Sequence, residues 1–307
     1  MPALPPLAYS RGMRLPQSYD TFVPLSWNGL HLSHPLNWQP ARLGLRYLLL
    51  ADVDGPAFEF KWRPGAGRAG MTAALRALTP KGQARTGMTL PRPWLDALAA
   101  YELMPLSWNR DGRSGLGAAL FRPETGTAAV FQAYGGSGGP SPERQAVVAD
   151  VLAGLDPDCP GPPDFRLYGL TFAAPPGFVL ASFTFVPGRF SLGFIAGRRR
   201  LDIVRLAPAQ VLLARDDLGT VARLAFGLEA SVRPEPTVLA GVPAVWLASR
   251  QGTGRLAGLG RLLGRPGRLA VVRHQPDADK LLGAALTAKK PVDRQWLAAV
   301  AARCVSL

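Results

Sequence analysis

Residues 169–207 alternate apolar and polar side chains through four short runs, and this alternation constrains the fold more than any other feature of the chain. Leu170 and Phe172 come first, then Phe183 and Phe185, then Phe190, Leu192 and Phe194, then Leu201 and Ile203. A period of two with one apolar face is the mark of half-buried strands. The interruptions are Pro175-Pro176-Gly177, Pro187-Gly188 and Gly197-Arg198. Proline presets φ and glycine accepts positive φ, so each interruption reads as a turn. The stretch is therefore predicted to be an antiparallel meander.

A fainter copy lies upstream. Gly29–Trp38 can be laid over Gly169–Phe178, both reading G-L-x-apolar-x-x-P-x-x-aromatic. Arg46-Tyr47 then falls on Arg189-Phe190, and Phe58-Glu59-Phe60 falls on Leu201-Asp202-Ile203. Gly126–Phe131 falls on Gly267–Val272, and Arg144–Val147 on Arg294–Leu297. A chain of 307 residues has room for about two domains of roughly 150 residues. The expectation is an α+β protein made of two tandem repeats, each an antiparallel sheet flanked by helices. Residues 1–27 read as a proline-rich arm, 28–157 as the first repeat, 158–164 as a linker, and 165–307 as the second repeat. Helices are expected near 71–78, 91–103, 142–155, 209–228, 277–286 and 292–304, with strands over 29–33, 43–51 and 56–62.

The net charge is +14, with 30 arginines against 5 lysines. Residues 1–157 carry 15 basic and 11 acidic side chains, and residues 158–307 carry 20 and 10. On the matches above, the hairpin turned by Arg122–Gly126 in the first half becomes a long loop over 250–268 in the second. That loop holds Arg255, Arg261, Arg265 and Arg268 without an acid, and Arg250 and Arg273 flank it. Gly258, Gly260 and Gly264 each weaken a helix by about 1 kcal/mol relative to alanine, so an irregular basic loop is expected. With Arg198-Arg199-Arg200 these arginines are the candidate anion- or partner-binding set, suited to nucleic acid, an anionic surface or an acidic protein. Such excess arginine is also what a GC-rich coding sequence yields.

The chemistry that marks an enzyme is thin. His31, His34 and His274 have no cysteine or acid at metal-ligand spacing. No G-x-S-x-G elbow occurs, and the Gly135–Gly139 segment lacks the lysine of a phosphate-cradling loop. No catalytic residue, metal site or cofactor is assigned. Cys159 and Cys304 do not suggest a disulfide framework. The first residues lack a leader pattern, and no apolar run approaches the roughly 20 residues of a membrane span. A cytoplasmic address is expected. Trp38, Trp62, Trp108 and Trp246 are expected mostly in the core.

The two G-L-x-apolar-x-x-P-x-x-aromatic motifs, followed by long hairpins and helices, resemble the Mog1/PsbP-like α/β/α sandwich. That resemblance implies an accessory or adaptor role and carries over no functional residue. Three readings follow, in this order: a non-enzymatic adaptor or assembly protein, a binder of nucleic acid or anionic surfaces through residues 250–273, and an enzyme with a site between the two halves.

Overall fold

The computed structural model describes residues 19, 21–78, 84–86, 88–110, 112–159, 161–249 and 267–306. Strand makes up 51% of it and helix 20%, in three antiparallel sheets. This overturns the expected α+β class of two tandem repeats, each with its own sheet between helices. Hairpins from both halves of the chain combine in one sheet, and a single large core runs through all three.

The shared sheet is built from two hairpins. Strands β1 (Phe22–Trp27) and β2 (Leu30–Pro35) form one; β10 (Asp164–Leu167) and β11 (Leu170–Ala173) form the other. They join through β1 and β10, with Ser26 opposite Arg166 and Trp27 opposite Phe165. The short strand β19 (Val305–Ser306) closes the far edge. Both hairpins turn on two residues of positive φ, Asn28-Gly29 and Tyr168-Gly169, the geometry that matches strand twist. Tyr168 is unusual at such a position; its hydroxyl donates to the Pro40 carbonyl at 2.6 Å. Residues 22–27 are thus a strand in the sheet rather than part of an arm, and Asp164 belongs to β10 rather than to a linker.

Strand register gives this sheet two unlike faces. Leu25, Trp27, Leu30, Leu32, Phe165, Leu167, Leu170 and Phe172 share one face, and all are buried. The opposite face carries Ser26, His31, Ser33, Asp164, Arg166 and Thr171. The apolar face meets two seven-stranded sheets of like strand order.

The first large sheet runs β3 (Gln39–Gly44), β4 (Tyr47–Asp52), β5 (Gly55–Arg63), β9 (Thr127–Gly135), β8 (Arg113–Arg122), β7 (Glu102–Arg110) and β6 (Ala84–Thr86). The second runs β12 (Val179–Val186), β13 (Arg189–Ala196), β14 (Arg199–Leu206), β18 (Lys280–Ala288), β17 (Gly267–Gln275), β16 (Val242–Ser249) and β15 (Pro234–Leu239). Helices α2 (Arg92–Ala97) and α3 (Pro142–Ala153) cover the inner face of the first, and α6 (Arg294–Ala302) that of the second. On the outer faces, α1 (Gly67–Leu78) lies on the first sheet, and α4 (Ala209–Leu213) and α5 (Leu218–Phe226) lie on the second.

Several expectations change at this level. The single strand expected over 43–51 is two strands, broken by a turn at Leu45-Arg46. The helix expected over 91–103 stops at Ala97, and that over 209–228 breaks where Asp217 caps α5. Residues 277–286 form a 3-10 turn and strand β18, not a helix, since Leu281–Leu286 are buried between β14 and β17. The match of Gly29–Trp38 with Gly169–Phe178 falls on hairpins in equivalent places. That of Gly126–Phe131 with Gly267–Val272 does not: it sets β9 on β17, whereas strand order sets β17 against β8.

Two substitutions test this architecture. Trp27 packs edge-on against Phe165 and Phe183 and donates from its indole nitrogen to the Gly44 carbonyl at 2.7 Å. Trp27→Ala is expected to cost about 3–5 kcal/mol, moving one shared urea transition for both halves, read by circular dichroism. Asp217 accepts from the Thr220 hydroxyl at 2.7 Å and from its backbone N–H at 3.0 Å, and these bonds hold its pKa below the usual carboxylate value. A lowered folded pKa contributes stability above the unfolded value and loses it as pH falls through the folded one. Asp217→Ala should therefore lower the urea midpoint at pH 7, and the gap from wild type should close on titration toward pH 2.

Candidate functional site

Of the arginines singled out by sequence, Arg198, Arg199, Arg200, Arg268 and Arg273 lie among the described residues. Arg198 is exposed in the β13–β14 turn. Arg199 and Arg200 follow on β14 and point to opposite faces, as successive strand residues must. Arg199 lies over the Phe178 ring, 5.1 Å from its centroid. Arg200 donates to Asp202 Oδ1 at 2.8 Å and to Ser182 Oγ at 3.2 Å. Arg268 takes the other Asp202 oxygen at 2.8 Å, donates to the Phe226 carbonyl at 2.6 Å and stacks on the Phe226 ring. Desolvation lowers the Arg268 pKa most, Asp202 opposes this, and Arg200 adds to it. Arg273 is 4% exposed on the inner face and donates to the Cys304 carbonyl at the end of α6. Arg250, Arg255, Arg261 and Arg265 lie outside the described residues. Arg200 and Arg268 thus meet at Asp202 on the outer face of the second sheet, and Arg273 lies on its inner face.

The histidines divide. His34 is buried on the apolar face of the shared sheet; desolvation lowers its pKa, and Nδ1 bonds the Pro35 carbonyl at 2.8 Å. His31, on the polar face, meets Asp164 Oδ1 at 2.5 Å across the joint between the two hairpins. That pair joins residues 133 positions apart, so no sequence spacing could reveal it. Among the described residues no group of three or more His, Cys, Asp or Glu is placed to hold a metal ion.

Two of the clefts among the described residues bear on function. One, of about 390 Å³, lies where the halves meet. Its walls are the β1–β2 turn, the Leu45-Arg46 turn, Pro157, Asp158, Cys159, Gly161 and Pro163, and the start of β12 at Val179 and Leu180. Arg46 reaches into it, donating to the Asn28 carbonyl at 2.8 Å with its guanidinium 6.0 Å from the Trp62 ring centroid. Much of the Arg46 side chain is exposed, yet desolvation outweighs the attraction of Asp158 and lowers its pKa. Asp158 accepts from the Thr125 and Thr127 hydroxyls, both at 2.6 Å. The second cleft, of about 650 Å³, lies between the ends of β7 and β8, the 137–140 turn and Gln145 of α3. Trp38, Trp62 and Trp246 are buried as expected; Trp108 is half-exposed.

The strand edges differ in a way that bears on recognition. An open edge presents unpaired N–H and C=O groups, and proteins normally guard it with proline, charge, brevity or cover. The β2 edge is covered by main-chain bonds between His31 and Asp156, at 2.7 and 2.8 Å. The β19 and β6 edges are two and three residues long. β3 carries Pro40 and Arg42, and its Pro40 and Gly44 carbonyls receive Tyr168 and Trp27. β15 reads PEPTVL, with two prolines and a glutamate. β12 reads VLASFTFV, eight residues without charge or proline. Ser182, Thr184 and Val186 are exposed on its outer side, while Phe183 and Phe185 are half-buried against Trp27.

Cys159 lines the first cleft, and its pKa is raised by burial first and then by Asp156 and Asp164. Full burial pushes the Cys304 thiol up to about 12. Since the thiolate is the nucleophile, Cys159 should alkylate with iodoacetamide at pH 8 more slowly than free cysteine, and Cys304 only on unfolding. Peptide mass spectrometry checks both, and Asp164→Asn should speed Cys159.

No family model matches the chain, and no curated protein does. Among solved structures it is similar to a protein from Bacteroides thetaiotaomicron, with 13% identity and a TM-score of 0.28 over 48% of this chain. The match spans half the length of that protein.

Proposed function

We propose that this protein is a non-enzymatic adaptor that holds an extended polypeptide segment by adding it as a strand to β12. The observation that carries this reading is the contrast among edges: β12 alone of those described is long, uncharged and free of proline. Strand addition draws its affinity from main-chain hydrogen bonds and its selectivity from alternate side chains. Phe183 and Phe185 offer apolar contact on one side of the edge, and Ser182 and Thr184 offer hydroxyls on the other. At the Val179 end the added strand would enter the cleft that holds Arg46, whose charge is only partly offset by Asp158. A carboxylate at that end of the segment would pair with the Arg46 guanidinium in a charge-assisted hydrogen bond.

Selection of binders from a displayed library of random dodecapeptides tests this directly. Selected peptides should slow amide exchange within Val179–Val186 and leave β15 unchanged. They should carry an acid toward one end, a preference that Arg46→Gln removes. Ser182→Lys with Thr184→Lys, both exposed, should weaken binding about tenfold, roughly 1.4 kcal/mol, without moving the melting temperature. Protection mapped to another surface would refute strand addition at β12.

A further inference from the structure

The basic residues that the adaptor reading leaves unused gather at one end of the second large sheet. Arg200 on β14 pairs with Thr287 on β18, and Thr287 pairs with Arg268 on β17. β14 and β17 therefore begin where β18 ends. This sets three stretches around one rim: Arg198 of the β13–β14 turn with Arg199 and Arg200, the start of β17 with Arg268, and the Lys289-Lys290 pair that follows β18. Arg268 is half-buried, and the other five are exposed. The acids nearby are already in use. Asp202 is shared between Arg200 and Arg268, and Asp293 accepts from the Gln295 backbone N–H at the start of α6. The rim stays positive.

Charge is joined there by apolar surface. Ile195 pairs with Val179 on one side and with Arg200 on the other, and the two aliphatic side chains are 42% and 57% exposed. The Arg200 guanidinium lies flat beside them. Ser182 and Asp202 hold it over Gly193, where a side chain would come within 2.8 Å of its Nη2. The chain from 250 to 266 leaves and rejoins the sheet at this same rim, since Ser249 pairs with Arg268. Those residues lie outside the described ones, but their sequence holds four arginines, four leucines and no acid.

We propose that this rim docks on an anionic lipid bilayer. Headgroups present a plane of negative charge, and the acyl boundary just beneath them accepts aliphatic side chains. Each basic residue close to such a surface strengthens binding roughly fivefold. Nucleic acid fits the rim less well. A duplex backbone would use the cations but leave Ile195 and Val179 in water. Phe178, the ring beneath Arg199, is itself buried, which denies unstacked bases a platform.

The test is flotation of the full chain with vesicles of phosphatidylcholine alone and of phosphatidylcholine mixed with phosphatidylglycerol. The mixed vesicles should bind about tenfold more tightly or better, and added salt should weaken that binding by screening. Arg198→Glu with Lys289→Glu and Lys290→Glu alters only exposed side chains. It should weaken binding to the mixed vesicles by about tenfold or more at an unchanged melting temperature. Ile195→Ser should weaken it severalfold, the mark of an aliphatic contact that charge alone does not supply. Equal binding to both kinds of vesicle overturns the proposal, as does vesicle binding that survives the triple variant. So does tighter binding to a labelled DNA duplex than to the mixed vesicles at the same salt, which would assign the rim to nucleic acid. Peptide capture at β12 is read by amide exchange without vesicles, so neither result decides the other.

Discussion

The pairing of β1 with β10 is the interaction on which the rest of the molecule depends. It joins two hairpins, each far too small to bury an apolar face alone, into one sheet with a continuous buried side. Trp27 sits at that joint. It packs on Phe165 within the sheet and on Phe183 and Phe185 of the second large sheet, and it bonds the Gly44 carbonyl of the first. Phe165 and Phe172 reach Phe194 at 5.3 and 5.5 Å. One buried aromatic cluster therefore ties three sheets together. The clefts described and the edge of β12 are placed by that cluster, since all of them lie along the large sheets that it orients.

Charge in this chain serves structure more than the net value of +14 implies. Asp202 answers two arginines, Arg200 and Arg268. Arg144 pairs with Asp52 and lies over Trp38, while Arg294 pairs with Glu235 and lies over Trp246. A planar, weakly hydrated guanidinium can stack on a ring and bond at its edge together. That dual use explains why so many arginines sit at the rims of aromatic clusters. Breaking a pair such as Arg144–Asp52, in which both side chains are largely covered, would leave one charge without its partner.

The strands were largely legible and the helices less so. Period-two alternation marks β11 through β13, because one face of each meets the core and the other does not; β14 keeps Leu201 and Ile203 on the core face while Val204 and Leu206 are buried under α4 and α5. β18 escaped it: Leu281–Leu286 are buried on both faces, so alternation is lost and the apolar run passes for a helix. The split of 209–228 at Asp217 was hidden for a related reason, as the apolar stripes of α4 and α5 run on without a break in spacing. Of the site residues, the arginines could be picked out by charge, but not their partners. Asp202, the Phe226 carbonyl and the Cys304 carbonyl are brought to them by strand register and helix ends.

The sequence by itself determined the turns, the alternating strands and the two Gly-centred hairpins, because each rests on local φ/ψ preference and on which side chains avoid water. Only the tertiary structure decided that the hairpins of the two halves pair with each other, that His31 meets Asp164, that Gly115 gives Trp108 its seat, and that β12 is an edge strand among the described residues. These depend on contacts between residues distant in the chain, whose partners are selected by the shape of the whole core, and no local pattern encodes them.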